Sequence, residues 1–135
     1  MSLPAQNEVR LLLCDEVRLE QGNKLAILGF FPGSGVALPR SADDQPDAVQ
    51  ALTFVFMIEG GEGIYEAGMK IFGPDETVIF DQNMGSMQKM PGAVAVLICR
   101  VSPFKSTKWG EQYAILRLNE QDYRNLFTVQ PNAVS

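Results

Sequence analysis

The chain contains no histidine. That absence removes the Ser-His-Asp and Cys-His nucleophile systems, histidine-ligated zinc and the usual general base near neutral pH. Cysteine is scarce as well. Cys14 and Cys99 alone cannot supply the four ligands of a structural zinc site. No segment approaches the roughly 18 apolar residues needed to cross a bilayer. The N-terminal run Leu11-Leu12-Leu13 follows Glu8 and Arg10 and leads to no small-residue cleavage motif, so no secretory signal is expected. Basic clusters are missing: Arg100, Lys105 and Lys108 form the densest one, and Glu111 follows closely. At a net charge of −5 the surface repels phosphate backbones, which argues against nucleic-acid binding. There is no internal repeat, no low-complexity tract and no 3.6-period apolar run, so no helix longer than about two turns is predicted.

What is present is strand-like. Leu11 to Phe31 holds two apolar-rich runs around Glu20-Gln21-Gly22-Asn23, the pattern of a β-hairpin with a glycine-bearing loop. Val9 to Leu19 reads as the first strand, with Val9, Leu11, Leu13, Val17 and Leu19 on one face and Asp15 interrupting them. Lys24 to Phe31 reads as the second, with Leu25, Ile27 and Phe31 inward. Residues 52–58 alternate with apolar side chains on both faces, and 93–101 do the same. Tyr65, Ala67, Met69 and Ile71 alternate with polar residues or glycine, which predicts a half-exposed strand. A short strand is expected at Thr77 to Asp81, and another at Glu111 to Leu118. Pro32-Gly33-Ser34-Gly35 and the polar stretch Pro39 to Asp47 together read as the longest irregular segment, the methionine-bearing stretch Gln82 to Gly92 also reads as irregular, and Glu120 to Leu126 reads as a single helical turn. Residues 1–8 form a loose lead-in to one domain over 9–130. The architecture expected is all-β: an antiparallel two-sheet β-sandwich of seven or eight strands, with an eight-stranded barrel as the alternative.

Leu13-Cys14-Asp15-Glu16, then Gly22-Asn23-Lys24-Leu25 and Leu28-Gly29-Phe30, resemble the opening of an uncharacterised family of small bacterial proteins. There a strand ending in Cys-Asp leads through a Gly-x-Lys turn to a strand ending in Gly plus an aromatic residue. Pro74-Asp75 and Gly110-Glu111-Gln112-Tyr113 look like later positions of that family. The resemblance implies a β-sandwich and carries no activity with it.

The chemistry-bearing residues divide into a few sets. Cys14 precedes two acids and Cys99 lies in an apolar run, so both read as reduced, buried thiols of a cytoplasmic protein. Asp15 falls on the apolar face; it reads either as a buried carboxylate or as a residue at a strand break bonded to backbone N–H groups. Asp43, Asp44 and Asp47 offer oxygens that calcium would need, yet their spacing closes no known chelate loop and a solvated loop is expected. Glu59, Glu62 and Glu66 read as solvated turn residues beside glycines. Gly33-x-Gly35 lacks the third glycine of a dinucleotide loop, and Pro39 stands where the helix would continue. Trp109 lies near Phe104 and Tyr113 in sequence, where aromatics stack on a sugar or a partner, or else cap the core.

These observations predict no catalytic, cofactor-binding or metal residues. The expectation is a non-enzymatic module that self-associates, as a homodimer, or binds a protein partner, because residues 93–101 need cover on both faces. The competing cover is internal, with the Met84, Met87 and Met90 segment folded across the strand. The alternative function is a small-ligand or carbohydrate-binding domain. Its candidate surface is Asp43, Asp44, Asp47, Phe104, Trp109 and Tyr113.

Overall fold

Asp15 ends the first strand. Its backbone N–H turns to the carbonyls of Leu28 (3.0 Å) and Gly29 (3.1 Å), so the run from Val9 to Leu19 breaks in two. The computed structural model describes residues 1–132. Its strands are β1 (Val9–Cys14), β2 (Glu16–Glu20), β3 (Lys24–Leu28), β4 (Gly35–Leu38), β5 (Leu52–Ile58), β6 (Gly63–Phe72), β7 (Val78–Lys89), β8 (Ala95–Val101), β9 (Gly110–Leu118) and β10 (Gln121–Pro131). The only helical pieces among the described residues are 3-10 turns at Gln6–Glu8 and Pro32–Ser34.

The expected seven or eight strands in two sheets are corrected to ten strands in three. A three-stranded sheet has the order β1-β5-β8, a five-stranded sheet β4-β10-β9-β6-β7, and β2 pairs only with β3. None of the three closes into a barrel among the described residues. The hairpin became its own sheet because β1 leaves its partner at Asp15 while β2 pairs with β3 alone. Nor is the pairing wholly antiparallel: β4 runs parallel to β10, with Val129 opposite Val36. That strand lies inside the segment read as irregular, because Gly35-Val36-Ala37-Leu38 is too short for periodicity to register.

The two larger sheets share one core. Alternation puts Leu13, Phe54, Phe56 and Ile58 on the inner side of one, and Tyr65, Met69, Ile71, Leu116, Tyr123 and Phe127 on the inner side of the other. Phe54 meets Phe127 edge-on with ring centroids 5.6 Å apart, and Phe104 packs near both at 6.1 and 6.5 Å. Burying each such ring stabilises the fold by about 1.5–3 kcal/mol.

Three further expectations are corrected. Glu120 to Leu126 is no helical turn. Asn119 takes a left-handed conformation (φ 55°), a two-residue connection reverses the chain, and β10 alternates Tyr123, Phe127 and Val129 into the core. Gln82 to Gly92 is mostly the second half of β7. A bulge opposite Ala67/Gly68 leaves Met84 unpaired, and the extra residue masks the period-2 pattern while Met84 and Met87 pack on the core. Residues 1–8 are tied down: Ser2 exchanges backbone bonds with Glu62, the Tyr65 hydroxyl donates to the Ser2 carbonyl, and Tyr123 donates to the Pro4 carbonyl at 2.6 Å.

Candidate functional site

The six residues marked from sequence do not form one surface. Asp44 lies in a left-handed turn (φ 58°), pairs with Arg40, and its carbonyl accepts the Trp109 indole N–H at 2.8 Å. Arg40 also sits over the indole, 5.7 Å from the ring centroid. Asp47 caps its own turn, accepting from the Ala48 N–H at 2.9 Å, and Asp43 is solvated. Phe104 is only 1% exposed and belongs to the core, so it presents nothing to a ligand. Tyr113 is on another surface, the outer face of the five-stranded sheet. It stacks on Phe72 (5.0 Å, 21° between planes) with the Arg124 guanidinium 3.8 Å from its ring centroid. Its hydroxyl donates to the Glu76 carboxylate, and that bond, helped by burial and by the Glu76 charge, pushes the phenol up. Among the described residues no three cysteine, aspartate or glutamate side chains converge on a metal-sized point.

The outer face of the three-stranded sheet is a more coherent surface. Pairing sets Leu12, Val55 and Ile98 in one row and Arg10, Met57 and Val96 in the next. At one end the hairpin covers it: Thr53 Oγ1 donates to the Asp15 carbonyl at 3.0 Å, and Cys14, Thr53 and Val55 are buried. Beyond that point the cover stops. Val94, Val96 and Ile98 are 53%, 36% and 41% exposed. Between the hairpin and the open face lies a cleft of about 600 Å³, lined by Asp15, Val17, Thr53, Ile98 and Arg100 among others. The hairpin adds apolar surface of its own, for Val17 faces Ile27 and Leu19 faces Leu25 across the strand pair, with Leu19 and Ile27 exposed. Leu25 and Ile27, expected to point into the core, instead line this arm, because β3 pairs with β2 and not with a core sheet.

The thiols fall on opposite sides of that sheet. Alternation places Cys99 beside Phe54 in the core and Cys14 beside Thr53 under the hairpin; both are free and buried. Burial raises both thiols, and the neighbouring Asp15 charge raises Cys14 further. Asp15 itself is exposed, at the strand break.

Sequence reasoning missed a polar hollow on the outer face of the five-stranded sheet. Its centre is Gly68, flanked across the sheet by Asn83 and Arg117 and along β6 by Glu66 and Lys70. The hollow is about 320 Å³, and Ile115, Asn119 and Asp122 also line it. Gly68 was legible only as the polar side of a half-exposed strand. Its neighbours come from three other strands, and no local spacing reveals that meeting.

No helix among the described residues is long and apolar enough to cross a membrane. No protein-family model matches the chain, and no curated protein matches it.

Proposed function

We propose that this protein is a non-enzymatic binding module that associates with a second copy of itself through the outer face of its three-stranded sheet. The observation that supports this is the uncovered row of Val96 and Ile98 on β8 and Val94 just before it. The chain's own candidate for internal cover is committed elsewhere, since Met84 and Met87 pack on the core from β7. The face is also suited to self-pairing. Arg100 marks one end and the Arg10–Glu59 ion pair the other, so a two-fold axis in the interface and perpendicular to the strands sets the Arg100 end of one copy over the Glu59 end of the second. The β-sandwich reading belongs to the same proposal: the two larger sheets are its layers, and the hairpin is an appendage that frames the docking face. Both cysteines are free and buried, which fits a reducing compartment, and on that ground we place the protein in the cytoplasm. The resemblance of its opening strands to a small bacterial family implies the same sandwich and carries no activity with it. The loops around Asp43 and Trp109 are the weaker candidate, because the indole N–H is already spent on Asp44.

Light scattering at micromolar concentration tests the proposal. A dimer is expected, and Val96→Lys with Ile98→Lys returns a monomer with unchanged circular dichroism, since both side chains are exposed. A wild-type protein that is strictly monomeric there overturns it.

A further inference from the structure

We propose that the hollow at Gly68 binds a neutral, hydroxyl-rich ligand: one sugar ring, free or at the end of a saccharide chain. The site is separate from the self-association face and does not depend on it. Glycine is not required there by the backbone, for Gly68, unlike Gly85 opposite the same bulge, has no positive φ. It is not required by packing either, because an added Cβ would meet only the Gln82 carbonyl, at an ordinary 3.5 Å. What the missing side chain does create is room. At about 320 Å³ the hollow sits at the small end of the range for ligand pockets, roughly 300–1,000 Å³.

The charges around it select against ions. Lys70 faces Asp81 at 3.8 Å, Arg117 makes a two-pronged pair with Asp122 at 2.7 and 3.3 Å, and Glu66 accepts from the Ser86 hydroxyl. Two cations stand against three carboxylates, so an anion meets net repulsion. Among the described residues no three acidic side chains converge on a metal-sized point, so a metal ion finds no ligand set. Paired charges of this kind still offer oriented donors and acceptors on their outer edges, which adjacent hydroxyls can bridge.

Amide groups add to the array. Asn119 Oδ1 accepts from the Glu66 N–H and Asn83 Oδ1 from the Gly85 N–H. Those bonds fix each amide so that its NH₂ remains to donate. Ile115 and Phe72 supply an apolar side for the C–H face of a ring. Apolar floor, fixed amides and neutralised charge together describe a polyol site rather than a phosphate or metal site.

The test is an amide-shift titration of ¹⁵N-labelled protein with glucose, galactose, mannose, N-acetylglucosamine and their disaccharides. At least one sugar is expected to bind with a dissociation constant on the order of 1 mM or tighter, shifting amides of residues 66–70, 81–83 and 115–119 together. Gly68→Leu fills the hollow and is expected to abolish those shifts while leaving the remaining spectrum in place. Arg117→Gln, which keeps the glycine, is expected to weaken binding at least tenfold and serves should the leucine variant misfold. The proposal is overturned by the absence of localised shifts with every sugar. It is equally overturned by binding that persists in Gly68→Leu, or by a hollow that answers to inorganic phosphate or to the glycine zwitterion and not to sugars.

Discussion

Asp15 and Gly29 close the base of the hairpin arm against each other: a Cβ on Gly29 would overlap the Asp15 carboxyl group, and Gly29 holds a left-handed conformation at φ 66°. The Asp15 N–H reaches the Leu28 and Gly29 carbonyls at the same point. Gly29→Ala therefore meets both a strained backbone and a crowded neighbour. The expected cost is roughly 1–3 kcal/mol, read as a lower urea midpoint. Hydrogen exchange should speed up first in residues 16–28, because an isolated two-stranded ribbon has little stability of its own. An alanine variant with wild-type exchange in the arm would show that this contact does not hold it.

A second prediction concerns alkaline pH. Burial raises Cys14, Cys99, Tyr65 and Tyr123, and the Glu76 hydrogen bond raises Tyr113. Each acid thus holds its proton more tightly folded than unfolded. The stability this contributes is complete below the unfolded values and is lost as pH rises through the folded ones. The urea midpoint should stay level to about pH 8.5 and fall above it as thiols and then phenols ionise. Both thiols should also react with a disulfide reagent only after denaturant is added. A midpoint that rises above pH 9 or so, or fast native labelling of Cys14, would contradict this.

The all-β class and the half-exposed strand at Tyr65 to Ile71 were legible because period-2 alternation survives in any register. Features that turn on one residue were not. Met84 breaks the alternation of β7 and Asn119 converts an apparent helical turn into a tight reversal, whereas the strand break at Asp15 was one of the two readings that its place on the apolar face allowed. The uncovered face at Val96 and Ile98 could be suspected from sequence, since a strand apolar on both sides needs two covers. Which side stays open depends on where the hairpin folds, which contacts distant in sequence such as Thr53 with Asp15 decide. The hollow at Gly68 was out of reach because four strands build it.

The N-terminal segment yields a third prediction. Tyr123 is buried and its hydroxyl donates to the Pro4 carbonyl; Tyr65 does the same for Ser2. Tyr123→Phe keeps the ring and orphans a carbonyl, at a cost of about 1–3 kcal/mol. Limited proteolysis should then cut within residues 1–8 faster than in the wild type, with the core strands still protected. Equal cutting rates would mean that the remaining ties, the Ser2–Glu62 pairing, the Tyr65–Ser2 bond and the Gln6–Arg124 bonds, hold the segment without it.

Phe104 and Trp109 lie in the same loop, and their truncation should differ sharply in cost. Phe104 fills the space between Phe54 and Phe127, so Phe104→Ala opens a cavity that two packed sheets cannot collapse, at roughly 3–5 kcal/mol. Trp109 is half-buried, and its specific tie is one hydrogen bond to the Asp44 carbonyl. Trp109→Phe keeps most of the apolar contact and gives up that bond, about 0.5–1.5 kcal/mol. The loop has independent anchors, since Gln112 Nε2 donates to Ser106 Oγ at 2.6 Å and to the Lys108 carbonyl at 3.0 Å. The Trp109 variant should therefore retain the global urea midpoint to within that small amount while residues 39–47 exchange amide hydrogens faster. If Trp109→Phe costs as much as Phe104→Ala, the indole belongs to the core after all, and packing rather than the bond to Asp44 holds it against the loop.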